Sequence, residues 1–257
     1  MILAIDIGNT NIVVGGYREE KLVFSVRLGT DPSRTACEYA ASLGGMLALY
    51  RVDLSAVTGA IVSSVVPPLS GALCRAVSLL CPGVEPLVVG AGIKTGLNIR
   101  IDNPKELGAD MLAASVGAMV KYPLPAIVVD LGTATKMMVV DENKTFLGGC
   151  IMAGVEISLH ALSSSTALLP HISLDSEVRQ PIGTNTVDCI KAGTILGAAS
   201  MLDGMIQRYR EVIGEDAAVI ACGGLAPAVV PHCRAEVILD DSLVLDGLLA
   251  LYNKNKK

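Results

Sequence analysis

The apolar run Ile2-Leu3-Ala4-Ile5 leads into Asp6 and Ile7. The small and polar residues Gly8-Asn9-Thr10-Asn11 then interrupt it before Ile12-Val13-Val14-Gly15-Gly16-Tyr17 resumes it. The pattern predicts a hairpin of buried strands whose first arm ends in a carboxylate. Alternation over 21–28 adds a third strand, and Asp31-Pro32-Ser33 reads as the start of a helix running to about Tyr50. A buried strand over 59–64, a helix opened by Pro67-Pro68 and running to about Leu80, and a strand over 85–89 complete the first half. Segment 92–104 is rich in turn residues and poor in helix formers, and reads as an active-site loop before a helix over 105–120. The order then repeats, with strands over 126–131, 135–141 and 145–151, a helix over 156–168 and a loop over 170–181. A long helix over 185–212, strands over 217–222 and 235–239, and a closing helix over 243–252 follow, and the lysine-rich tail from Lys254 reads as frayed.

The repetition extends to the polar positions. Ala126-Ile127-Val128-Val129-Asp130-Leu131-Gly132-Thr133-Ala134-Thr135 has the grammar of the N-terminus: apolar strand, aspartate, one apolar residue, glycine, then small polar residues. One such stretch is equally an ordinary hairpin turn. A second copy points to two similar halves that share a ligand. A turn of this kind can wrap an anion in backbone N–H groups while its aspartate faces a metal ion. Gly108-Ala109-Asp110 lies in an apolar, helix-forming stretch. There Asp110 is either a solvated helix cap or a general base for an attacking hydroxyl.

Composition narrows the classes. The 257 residues are 51% apolar with no tryptophan and two phenylalanines, so the core must be aliphatic, which suits sheets covered by helices. A net charge of −5 without a basic cluster argues against nucleic acid. The uncharged runs at 54–74 and 217–233 contain proline and glycine and fit buried strands and helix starts, so no membrane partner is expected. The N-terminus enters a strand without a charged leader, which points to a cytoplasmic protein. Seven cysteines, an odd number without a C-x-x-C pair, argue against a disulfide framework or zinc site. His160, His171 and His232 are scattered and read as structural or surface residues.

The doubled pattern resembles the actin-like ATPase and sugar-kinase superfamily. An ordered set makes the resemblance narrower: Asp6–Asn11, Ser63-Ser64-Val65-Val66-Pro67-Pro68, Gly92–Gly96, Asn103-Pro104, Leu107–Asp110, Asp130–Thr135, Gly148-Gly149, Gly183–Thr186 and Gly223-Gly224. Over essentially the whole chain it is similar to the type III pantothenate kinases. That resemblance implies an α/β fold of two actin-like (ribonuclease H-like) halves with a nucleotide cleft between them. Residues 1–121 would carry the first phosphate turn and the catalytic aspartate, and 122–257 the second turn and the adenosine side. It implies ATP, Mg²⁺ and a monovalent cation (K⁺ or NH₄⁺) as cofactors, and pantothenate as the acceptor whose primary hydroxyl is phosphorylated to open coenzyme A synthesis. A homodimer is also implied.

Residue by residue, Asp6, Ile7, Gly8, Asn9, Thr10, Asn11, Ile12 and Val13 match the first phosphate-binding turn, with Asp6 also facing the metal. Asp110 matches the catalytic base, Asp130 the monovalent-cation ligand, Thr133 an ATP contact and Thr186 a pantothenate contact. The apolar residues Ile190, Ile195, Leu196, Met201 and Leu202 suit the long helix either to the implied dimer contact or to burial within one chain.

Two positions depart from the family pattern, both on the pantothenate side with Gly108, Ala109 and Asp110. Met111 stands where the family has arginine, and Ile101 where it has tyrosine; Arg100 is adjacent. These departures keep two alternatives open: a kinase of the same fold for another small hydroxyl acceptor, and a nucleotide-sensing regulatory relative without turnover.

Overall fold

The computed structural model describes residues 1–174, 178 and 180–256. In chain order it begins with β1 (Ile2–Ile7), β2 (Asn11–Arg18), β3 (Lys21–Gly29), α1 (Ala36–Leu49), β4 (Gly59–Ser64), α2 (Pro67–Leu80) and β5 (Leu87–Val88). Then come β6 (Asn98–Ile99), α3 (Ala109–Lys121), β7 (Ala126–Leu131), β8 (Ala134–Val140), β9 (Thr145–Ala153), α4 (Val155–Ser164) and α5 (Thr186–Ile213). The chain closes with β10 (Ala218–Cys222), α6 (Ala226–Val229), β11 (Ile238–Leu239) and α7 (Leu243–Asn255).

These elements form two compact units. The first comprises Met1–Leu97, Asp102–Val120 and Ser242–Lys257, and the second Asn98–Ile101 and Lys121–Asp241. These bounds differ from a single cut at 121/122 at Asn98–Ile101, which holds β6, at Lys121, and at Ser242–Lys257, which holds α7.

The sheet of the first unit has the order β3-β2-β1-β4-β5, with β1 antiparallel to β2 and parallel to β4. The sheet of the second has the order β11-β10-β7-β8-β9-β6, with β7 antiparallel to β8 and parallel to β10. Read from the other edge, β9-β8-β7-β10-β11 repeats the first sheet strand for strand, and β6 is an addition. The duplicated grammar of the sequence is thus a duplicated topology. Each unit buries its own aliphatic core, one around Ile5, Ile7, Ile12, Leu43 and Leu73, the other around Ile127, Val129, Leu131, Ile195 and Leu202.

Boundaries move where side chains claim the backbone. Asp31 does not start α1; it accepts the Ser33 N–H at 2.9 Å in a local turn. The helix begins at Thr35, whose main-chain N–H donates to Glu38 at 2.7 Å while its hydroxyl accepts the Glu38 N–H at 3.3 Å. This reciprocal cap satisfies two orphan donors. It also holds the Glu38 carboxyl below its ordinary range, first through the Thr35 N–H and then the Thr35 hydroxyl. The expected strand over 235–239 shortens to Ile238–Leu239 because the N–H groups of Arg234 and Ala235 donate to the Asp203 carboxylate at 2.9 and 3.0 Å instead of to a ladder. α4 stops at Ser164, short of the expected 168. Thr166 there donates to the Leu162 carbonyl at 2.6 Å and Ser163 to that of His160 at 3.1 Å, hydroxyl bonds that compete with the helix. The loop expected over 170–181 lies partly outside the described residues.

Segment 92–104 is not loop throughout. Asn98 and Ile99 pair in parallel with Thr145 and Phe146 of β9, the Asn98 N–H reaching the Lys144 carbonyl at 2.9 Å. At the other end, α7 continues through Lys254 to Asn255, and the Asn255 side chain accepts the Lys94 N–H at 2.9 Å and donates to its carbonyl at 2.8 Å. That stretch of the tail is fastened rather than frayed.

α7 belongs to the first unit because of how closely it approaches α3. A Cβ on Gly247 would overlap the Ala113 carbonyl oxygen, and one on Gly117 would overlap that of Leu243. Only hydrogen at both positions lets the two backbones touch. Tyr17 then donates to Asp246 at 2.5 Å, and the Tyr252 ring fills the space a side chain at Gly59 would need. We expect Gly247→Ala to lower stability by about 1–3 kcal/mol through overpacking, read as a fall in the urea unfolding midpoint. An unchanged midpoint would show that the helices separate at little cost.

Candidate active site

The first turn is built at the end of β1. Asp6 is the next-to-last residue of that strand, opposite Val13 on β2 and level with Ser63 on the parallel strand β4. Paired residues of parallel neighbours share a face, so the Asp6 carboxylate and the Ser63 hydroxyl are side by side. Ser63 is completely buried and its Oγ has no hydrogen-bond partner. The Gly8 N–H donates to the Asn11 carbonyl at 2.9 Å, which closes the turn and leaves Asn9 and Thr10 exposed at its tip. Thr30, just past β3, clamps it: its hydroxyl donates to the Gly8 carbonyl at 2.7 Å and its N–H to the Thr10 carbonyl at 2.9 Å. Ile7 and Ile12 have fully buried side chains in the first core, so what they bring to the turn is main chain only.

An orphaned buried hydroxyl beside a carboxylate fits Mg²⁺, which takes one or two carboxylates and keeps several waters. Among the described residues no group of three or more His, Cys, Asp or Glu could hold a metal by itself. His160 and His171 do meet edge to face, with ring centroids 6.5 Å apart. The cysteines are all free, and burial, helped by Asp203, pushes the Cys233 thiol up to about 11.

Asp110 lies in the first turn of α3, half-buried, and its Oδ1 accepts the Met111 N–H at 2.7 Å. A Cβ on Gly108 would come 2.7 Å from that oxygen, so glycine there makes room for the carboxylate. A negative charge at a helix N-terminus is favoured by the helix dipole. Met111 is half-buried on the same turn. Ile101 belongs to the second unit, 3.8 Å from where a Gly148 Cβ would stand, and Arg100 beside it is exposed.

The second turn, in the second unit, is enclosed more tightly. A Cβ on Gly154, at the start of α4, would overlap the Thr133 carbonyl; one on Gly223 would approach the Leu131 carbonyl to 2.6 Å and Asp130 Oδ1 to 2.8 Å. Gly223 also adopts φ +97°, open to glycine and strained for other residues. The Leu225 N–H donates to the Leu131 carbonyl at 3.1 Å, joining the Gly223-Gly224 turn to this hairpin. Thr133 is exposed at the tip.

Asp130 carries a partner that the sequence reading missed. Lys136 sits directly opposite it across the β7–β8 ladder, with Nζ 2.7 Å from Oδ2 and the two side chains 14% and 15% exposed. The hairpin register was the available signal, since Leu131 opposite Thr135 puts Asp130 opposite Lys136. Truncating one member of such a buried pair typically costs about 3–5 kcal/mol. With a protein ammonium already on this carboxylate, the donor set does not fit the K⁺ or NH₄⁺ ion that the resemblance assigns to it.

Thr186 is the first residue of α5 and lines a cavity of about 650 Å³ together with Thr135, Met152, Leu162, Ile190 and Met201. Between Ile190 and Met201, the stretch of α5 toward this cavity contributes the small residues Gly193, Thr194, Gly197 and Ala198. Of the five apolar residues expected at a dimer contact, Ile190, Ile195 and Leu202 are buried within the unit.

A family model described as type III pantothenate kinase matches residues 2–208. A type III pantothenate kinase from Exiguobacterium sibiricum is 41% identical over 256 residues, covering 100% of both chains. One from Halalkalibacterium halodurans is 40% identical over 258 residues, covering 99% of this chain and 100% of its own. Among solved structures, the activator of the 2-hydroxyisocaproyl-CoA dehydratase from Clostridium difficile with bound ADPNP has a TM-score of 0.58 at 15% identity, covering 98% of this chain and 93% of its own. That likeness concerns the fold alone. With two actin-like units and a family match over most of its length, the chain belongs to the type III pantothenate kinases.

Proposed function

We propose that this protein transfers the γ-phosphoryl group of ATP to the primary hydroxyl of pantothenate, giving 4′-phosphopantothenate for coenzyme A synthesis. The observation that carries this reading is the 41% identity over the full length of a type III pantothenate kinase. The two Asp-ended turns, each clamped by its own unit, support it. The first turn, Asp6 to Val13, offers main-chain N–H groups to phosphate oxygens. Asp6 and Ser63 would hold Mg²⁺, which would supply neutralisation of the charge on the phosphates. Thr133 contacts ATP from the second turn, and the Gly223-Gly224 turn approaches the adenosine.

Asp110 orients the acceptor hydroxyl, aimed by the Met111 N–H, and takes its proton as the new P–O bond forms and the bond from the γ-phosphorus to the β,γ-bridging oxygen breaks, releasing ADP. Most of the rate comes from positioning and charge neutralisation, as in phosphoryl transfer generally. The cavity beside Thr186 receives the apolar part of pantothenate; its volume suits a small ligand with few polar groups. A monovalent cation is not part of this reading, because Lys136 already stands on Asp130.

The assembly is a homodimer formed on the face around that cavity. Leu162 in the cavity lining is exposed, and so are Ile151, Ile157, Leu168, Ile182 and Val187 in segments of the chain close to other lining residues. Light scattering at micromolar concentration is expected to give twice the chain mass, and a monomer would remove this assembly.

In a coupled assay with ATP, the wild-type protein is expected to phosphorylate pantothenate. Asp110→Asn should cut kcat by at least about a hundredfold while leaving ATP binding nearly unchanged. Near-normal turnover in the variant would take Asp110 out of the mechanism.

Met111 and Ile101 favour a second reading, a different hydroxyl acceptor on the same fold. If pantothenate is the substrate, Met111→Arg restores a charged contact and lowers its KM by roughly tenfold to a hundredfold, equivalent to about 1.5–3 kcal/mol. A flat or worse KM, with poor wild-type turnover on pantothenate, selects the other acceptor.

A further inference from the structure

Asp6 and Asp130 occupy equivalent places in the two hairpins, each next to last in its strand. What faces them differs. Val13 lies across the ladder from Asp6, and Lys136 across from Asp130. The lysine is no wandering surface side chain. Directly opposed residues of an antiparallel pair have Cβ atoms about 4.5–5.5 Å apart, so the ladder register itself delivers Nζ to the carboxylate. The pair is largely buried, at 14% and 15% exposure, and the Gly223 turn covers it from the other side.

We propose that Lys136 is a tethered replacement for a monovalent cation, so that phosphoryl transfer by this chain needs neither K⁺ nor NH₄⁺. The inference rests on reading the chain as an ATP-dependent kinase with Asp130 on the phosphate side. An alkylammonium group carries the charge of a potassium ion and donates hydrogen bonds as an ammonium ion does. Bound through its own strand, it cannot be diluted away. In the first hairpin valine stands in the matching place.

The test compares rates at constant ionic strength in tetramethylammonium, K⁺ and NH₄⁺ salts, with ATP, Mg²⁺ and pantothenate. Wild-type rates are expected to agree within about twofold, since no ion-dependent step remains. Lys136→Ala should lose at least about tenfold in tetramethylammonium, as when a fixed charge-stabilising group is removed, and recover in K⁺ or NH₄⁺. A purely structural ion pair would lower activity equally in every salt. Thermal melting in the presence of ADP and Mg²⁺ gives a readout that needs no turnover: K⁺ should raise the melting temperature of Lys136→Ala over tetramethylammonium and leave the wild type unmoved. Strong activation or selective stabilisation of the wild type by K⁺, or a variant that folds and is not rescued, would overturn the proposal. Should pantothenate not be phosphorylated in any salt, the substrate reading falls while the wild-type melts still decide the role of Lys136.

Discussion

Two helices far apart in the chain, α3 and α7, meet at a separation that only hydrogen side chains allow. Gly117 and Gly247 bring their backbones into contact, and α7 then covers β1 and β4. From there Leu245 reaches Gly15 on β2, and Asp246 receives the Tyr17 hydroxyl. The N-terminal hairpin is therefore backed by the last helix of the chain. Its turn projects from a sheet whose rear face is fixed, which is what a phosphate-binding turn requires if its N–H groups are to be preorganised.

The second unit reaches the same arrangement by other means. Its hairpin is packed on both sides by glycines, Gly154 at the start of α4 and Gly223 after β10, so the turn carbonyls of Leu131 and Thr133 are hemmed in by backbone. A shared topology thus carries two differently supported turns. It also carries two different electrostatic settings. A carboxylate opposite valine, beside an unsatisfied serine hydroxyl, is suited to a hydrated divalent ion, whereas a carboxylate opposite lysine is already neutralised. Duplication preserved the backbone, and single cross-strand residues divided the chemistry.

Several site features were visible in the residue order. The strand–aspartate–glycine grammar located both turns within a residue or two, because an apolar strand, a permissive glycine and short polar side chains constrain one another locally. The helix expected from 105 begins at Ala109, after a separate turn over Pro104–Glu106, and Gly108 makes room there for the Asp110 carboxylate. Ile7 and Ile12, assigned to the site by motif, turned out to be core side chains, since alternation along a strand sends neighbours to opposite faces. Thr30 and Lys136 were missed for the opposite reason. Each is distant in motif terms and becomes relevant only through the ladder that sets it beside a turn.

By itself, then, the sequence determined what depends on neighbouring residues: the order of elements, the doubled hairpin, the aliphatic cores and the family. Tertiary structure decided what depends on pairing across distance. It gave β6 to the second sheet because Asn98 finds the Lys144 carbonyl, and it shortened β11 because Asp203 takes the N–H groups that a longer strand would use. It returned α7 to the first unit because Gly117 and Gly247 permit a contact between helices more than a hundred residues apart. Local propensity cannot encode such contacts, since the free energy that selects them exists only when both partners are already folded.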